Sequence, residues 1–143
     1  MGKLLVYLVY ADPPLMLHRD HMFNFDLSNG YVVLRIICGL FMLPNAIAKL
    51  RNPEPSMVFF ESAGFPRPNL FVYFTATFEI VVGISLAVGI WASYAAWLTT
   101  AFMFTAALVD YKVHKTWLWT KGGCEYPLFW GICALIVALN IAS

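Results

Sequence analysis

Four long apolar runs organise the chain: Gly30 to Leu50, Pro68 to Ile90, Trp91 to about Val109, and Tyr126 to about Ala142. A helix needs about 20 residues to cross a hydrocarbon core about 30 Å thick, and the last run, at roughly 17, stands at the lower limit. Breakers separate them. Asn52-Pro53-Glu54-Pro55, Gly64-Phe65-Pro66-Arg67-Pro68 and Lys121-Gly122-Gly123 interrupt the pattern, while Pro68 and Pro127 occupy first-turn positions where a missing N–H does no harm. Only Gly89 to Tyr94 joins the second run to the third, which predicts a tight antiparallel hairpin. Trp91 and Tyr94 suit the membrane interface on that side, and Trp117, Trp119 and Tyr126 suit it on the other.

Polar positions within the runs keep helical spacing. Arg35, Cys38, Met42, Asn45 and Lys49 advance in steps of three and four, as do Thr100, Met103, Ala107, Asp110 and His114; Thr75, Glu79 and Gly83 advance in fours. Each helix therefore carries one polar stripe, with Gly83 permitting close approach of a neighbour. Backbone polar groups inside lipid must be satisfied within helices, so the pattern predicts an all-α integral membrane four-helix bundle. Residues 30–143 form that domain, preceded by an N-terminal interfacial or partner-binding arm over residues 1–29.

Composition agrees with a membrane class. The chain is 61% hydrophobic and only 12% charged, against about 25% charged in soluble proteins. A net charge of +1 supplies no basic stripe for nucleic acid. Three cysteines, Cys38, Cys124 and Cys133, lack CxxC spacing and read as free thiols. In the arm, Lys3 and the apolar stretch Leu4 to Ala11 resemble a short signal sequence, but Asp12-Pro13-Pro14 stands where a small-residue cleavage site belongs, so no cleavage is expected. Tyr7, Tyr10, Phe23 and Phe25 instead fit a segment lying on lipid or on another protein.

Arg35 and Glu79 are the strongest functional leads, because an ionisable group at membrane depth costs roughly 2.5–3.5 kcal/mol even on lenient scales and therefore faces a partner, a cavity or a ligand. They are expected to meet inside the bundle. Either they neutralise each other and lock the packing, or they join Asn45, Lys49, Asp110, His114 and Glu125 in lining a polar chamber. Lys49 also fits snorkelling to the headgroups, and His114 fits a helix C-terminus beside Lys112 and Lys115. His18-Arg19-Asp20-His21 reads as a solvated turn, since a third metal ligand is missing nearby. No metal site, haem motif, nucleotide loop or nucleophile elbow is expected.

Together, the run from Arg35 to Leu50 with its Gly39, Asn45 and Lys49, the Gly64-Phe65-Pro66-Arg67-Pro68 link, Phe78-Glu79 through Gly83 to Gly89, and Gly122-Gly123-Cys124-Glu125-Tyr126 resemble the successive signatures of the DoxX family of small four-helix membrane proteins. The likeness covers roughly residues 30 to 142. It implies a membrane component associated with oxidoreductases, the name-giving members being linked to thiosulfate:quinone oxidoreduction, without implying one shared reaction. No tightly bound cofactor is expected, and quinone is the diffusible candidate. The chain departs from the pattern at Ala46, where family sequences often have glycine, and at the uncharged Trp91 to Tyr94.

Two functional classes follow. One is a redox-associated subunit whose chamber binds a quinone-like head group, Arg or Lys holding a carbonyl oxygen while a carboxylate or His handles the proton. The other is a non-catalytic accessory subunit that holds a larger respiratory or energy-converting complex through its arm and aromatic outer surface. The bacterial inner membrane is the expected location. Lys49, Arg51, Arg67, Lys112, Lys115 and Lys121 oppose only Lys3 and Arg19, which puts the loops after the first and third spans in the cytoplasm; the family likeness implies the reverse.

Overall fold

The computed structural model describes residues 25–115 and 123–141. Most of the 1–29 arm, the His18–His21 segment, Trp117, Trp119, Lys121 and Gly122 lie outside the described residues. Among the described residues every regular element is a helix: α1 (Gly30–Arg51), α2 (Glu54–Ser62), α3 (Pro68–Val88), α4 (Ala92–His114) and α5 (Glu125–Ile141).

Local chemistry sets the boundaries. Asp26 Oδ1 accepts from the backbone N–H of Ser28 at 3.0 Å and from its hydroxyl at 2.6 Å, forming a turn. The hydroxyl first and then the N–H hold the Asp26 carboxyl below the ordinary value of 3.8. Asn29 then caps α1 by accepting from the Tyr31 N–H at 2.9 Å. Gly89 ends α3 in the left-handed region at φ 91°, where a side chain would be strained. Trp91, at φ 49°, starts α4 from the same region. Between α3 and α4 only Gly89, Ile90 and Trp91 remain, so the turn is tighter than the six-residue link read from the sequence. The Ser85 hydroxyl donates to the Ile90 carbonyl and braces it.

Two boundaries differ from expectation. The supposed breaker after α1 instead starts α2, because proline at the first helical positions opens a helix as readily as it ends one. Helix α4 runs on to His114, five residues beyond the apolar run, since its last turn takes Asp110, Lys112 and His114 toward α2.

Helices α1, α3 and α4 are long and apolar enough to cross a membrane, and α5 is a shorter apolar helix of 17 residues. α1 packs most extensively on α3 and α4 on α5, while α1–α5 and α3–α4 contacts close the ring and α2 lies on α3. The α1–α3 crossing depends on two glycines. A Cβ on Gly39 would stand 2.5 Å from the Gly83 carbonyl oxygen and 2.6 Å from the Ala87 nitrogen, and one on Gly83 would stand 2.9 Å from the Gly39 oxygen. Only hydrogen side chains permit that approach. Cys38, Met42, Val82, Leu86, Ala96, Met103 and Val137 fill the interior. Leu40, Leu70, Phe74, Leu98, Leu108 and Leu139 remain exposed as the apolar outer surface.

Candidate functional site

Most of the predicted stripes turn inward. Arg35, Cys38 and Met42 on α1, Thr75, Glu79 and Gly83 on α3, and Thr100, Met103 and Ala107 on α4 are buried. The two threonines spend their hydroxyls on their own helices, Thr75 on the Val72 carbonyl at 3.1 Å and Thr100 on the Ala96 carbonyl at 2.8 Å. They quiet the backbone rather than face a ligand.

Glu79 is the centre of the polar interior, at 1% exposure. Its Oε1 accepts from Lys49 Nζ at 2.6 Å and from Asn45 Nδ2 at 2.9 Å. Its Oε2 is buried and has no hydrogen-bond partner among the described residues. Both donors come from the outer half of the α1 stripe, one turn apart, so the three side chains tie α1 to α3. A carboxylate with one oxygen doubly held and the other unengaged keeps capacity for one more donor.

Arg35 does not meet Glu79, contrary to expectation. Its guanidinium lies against Gly89, where a Cβ would collide with it. Gly39 sits over Gly83, so the antiparallel register sets Arg35 level with Gly89 and Asn45 level with Glu79. Ten residues separate Arg35 from Asn45 on α1, an axial rise of about 15 Å.

Among the described residues no hydrogen bond or ion pair joins Asp110, His114 or Glu125 to the Glu79 cluster. Asp110 Oδ1 and His114 Nδ1 are 2.8 Å apart, and the His114 ring stacks on Phe59 of α2 with centroids 5.8 Å apart. Beside them Lys112 Nζ donates to the Ala63 carbonyl at 3.4 Å. This trio fastens the end of α4 to α2. Glu125 stands in the first turn of α5, with both carboxylate oxygens buried and without hydrogen-bond partners among the described residues. Hydrogen bonds thus join Asn45, Lys49 and Glu79 in one cluster and Asp110 and His114 in one pair, while Arg35 lies against Gly89 and Glu125 opens α5.

A small cleft adjoins the cluster. Asn45 lines it together with Cys38, Phe41, Met42 and Met103, and Tyr126 and Trp130 supply aromatic wall from α5. Its enclosed volume is about 10 Å³, room for roughly one water molecule. The Phe41 and Trp130 rings stack at 4.9 Å in its wall. Nothing in the sequence pairs these two aromatics, because their meeting depends on the α1–α5 register. Among the described residues no three His, Cys, Asp or Glu side chains gather into a metal-binding group.

Comparison with known proteins bears on this architecture. The DoxX family model matches residues 30–114, which takes in α1 to α4 and both partners of the buried ion pair. No curated protein matches the chain. No solved structure matches it.

Proposed function

The chain belongs to the DoxX family and is an integral membrane protein by that membership and its apolar helices; from that premise we propose that it is a redox-associated subunit. In this reading α1, α3, α4 and α5 cross the bilayer as a four-helix bundle. The Asn45–Lys49–Glu79 cluster serves the polar head of a quinone-like ligand. The observation that carries the reading is the buried Glu79 carboxylate, held on one oxygen by two donors and unengaged on the other.

The chemistry asked of these residues is binding and proton handling. Lys49 and Asn45 donate to a carbonyl oxygen, and Glu79, when protonated, passes a proton to the oxygen they hold. Reduction of a quinone to a quinol takes two electrons and two protons; the electrons come from a partner protein, one proton from Glu79 and the other from solvent. Aromatic faces at Phe41, Tyr126 and Trp130 suit a planar ring. Because the cleft is now only large enough for a water molecule, Phe41 and Trp130 must part to admit that ring. Arg35 and the Asp110–His114 pair have no part in this site.

The closed cleft favours a second reading, in which Lys49 and Glu79 lock α1 to α3 in an accessory subunit that performs no chemistry. Purification in native lipids, with identification of co-purifying proteins and quinones, separates the two. The redox reading expects a quinone retained by wild-type protein and lost in Glu79→Gln while the same protein partners remain. Equal partner recovery with no quinone in either preparation supports the accessory role instead.

A further inference from the structure

We propose that Cys38, Met42, Met103 and Cys133 form a binding site for a soft monovalent metal ion of the copper(I) class. All four side chains are buried, at 3%, 3%, 6% and 9% exposure, and belong to one packed interior cluster. Three helices supply them. Cys38 and Met42 lie one turn apart on α1, Met103 is on α4 and Cys133 on α5.

Register brings the two thiols to one level. Phe41 stacks on Trp130, and Asn45 and Tyr126 line the same cleft. In antiparallel helices a constant sum of residue numbers marks facing positions; 41 with 130 and 45 with 126 share the sum that 38 has with 133. Cys38 therefore faces Cys133 across the α1–α5 interface. Cys38, Met42 and Met103 line the cleft, whose volume of about 10 Å³ suits a single ion, and Cys133 packs in the same interior cluster without lining it. The Thr99 hydroxyl donates to Met42 Sδ at 3.7 Å and steadies the thioether. Exposed Phe41 and Asn45 mark the way in.

Ligand chemistry selects the ion. Thiolate and thioether donors prefer copper(I) to the harder divalent metals. Charge points the same way, because the site is walled by apolar side chains and must stay close to neutral. Copper(I) replaces the proton of one thiol, Cys–S–H + Cu⁺ → Cys–S–Cu + H⁺, and leaves a neutral thiolate complex that the still protonated second thiol and the thioethers complete through their sulfur lone pairs. The proton goes to solvent and no oxidation state changes. Carboxylate and imidazole ligands, the usual basis for recognising a metal centre, are not needed here. Cys124 is buried at the start of α5 but outside this cluster, and so serves as an internal control.

The test is anaerobic copper(I) competition on the full-length protein in detergent, against a coloured copper(I) chelator. Wild-type protein is expected to hold one equivalent and to leave zinc(II) in solution, with only sulfur neighbours around copper by X-ray absorption. Losing a direct ligand exceeds the roughly 10–100-fold that loss of an orienting partner costs. Cys38→Ser and Cys133→Ser should therefore each weaken copper(I) binding at least that far. Met42→Leu conserves volume, so a weakening with unchanged helical circular dichroism reads ligation rather than folding. Cys124→Ser should bind as wild type does. The proposal is overturned if the chelator strips wild-type protein completely, if the Cys38→Ser/Cys133→Ser double variant keeps its copper, or if binding follows Cys124.

Discussion

The two ends of the α1–α3 pair each bury a charge and accommodate it differently. At one end Glu79 receives Lys49 and Asn45 on a single oxygen. At the other, Arg35 is 4% exposed and its guanidinium fits against Gly89, a residue with no side chain at φ 91°. Opposite charge meets the carboxylate at the first end, and at the second a glycine leaves room beside the guanidinium.

The register between those ends breaks most completely at their midpoint. Gly39→Val would drive methyl groups into the Gly83 carbonyl and the Ala87 backbone, neither of which can yield as a flexible side chain does. Overpacking typically costs about 1–3 kcal/mol and more against backbone, so loss of the folded protein from detergent extracts, read by size-exclusion recovery, is the expected outcome. Removing one partner of the ion pair comes next. Lys49→Met leaves a buried carboxylate uncompensated, a change that costs about 3–5 kcal/mol. Glu79→Leu should cost less, because the Lys49 side chain is 15% exposed and can extend to the headgroups. Thermal melts of the two variants in the same lipid check that order.

At the Arg35 end, Gly89→Ala should cost about 1–2 kcal/mol, the penalty of placing a Cβ in the left-handed region. Arg35 Nη1 adds little, since the end of its long side chain can shift. Gly89→Asn should recover part of the loss, because asparagine tolerates that conformation; equal losses in both variants would show that collision with Arg35, not backbone strain, is decisive. The smallest effect lies outside both ends. Ser28→Ala should raise the Asp26 carboxyl toward its ordinary value in an NMR titration, since the Ser28 hydroxyl is the first cause of its depression. The stabilisation from this turn is present above the unfolded value and is lost as pH falls through the lower folded one.

Much of this architecture was legible in the sequence for identifiable reasons. Apolar run length located α1, α3, α4 and α5, and three-and-four spacing identified the faces that carry Arg35, Glu79 and Met103 inward. Partner choice was not legible. Whether Arg35 or Lys49 meets Glu79 depends on axial register, which is fixed by backbone contact at Gly39 and Gly83 and leaves no periodic signal. For α2 the Pro53 and Pro55 pattern was ambiguous, because the same residues end one helix and begin the next. The Phe41–Trp130 wall joins residues far apart in sequence, so only the folded chain brings it to the cluster.

In the proposed function the unengaged Glu79 oxygen belongs to a ligand site and not solely to a structural lock. Titration of a short-chain quinone into wild-type and Glu79→Gln protein in lipid nanodiscs, followed by Trp fluorescence, tests it most directly because Trp130 lines the cleft. The account predicts saturable quenching in wild type that Glu79→Gln weakens at least about tenfold, the equivalent of 1.4 kcal/mol, with unchanged folding. Identical titrations in the two proteins, or no saturable quenching in either, would contradict it.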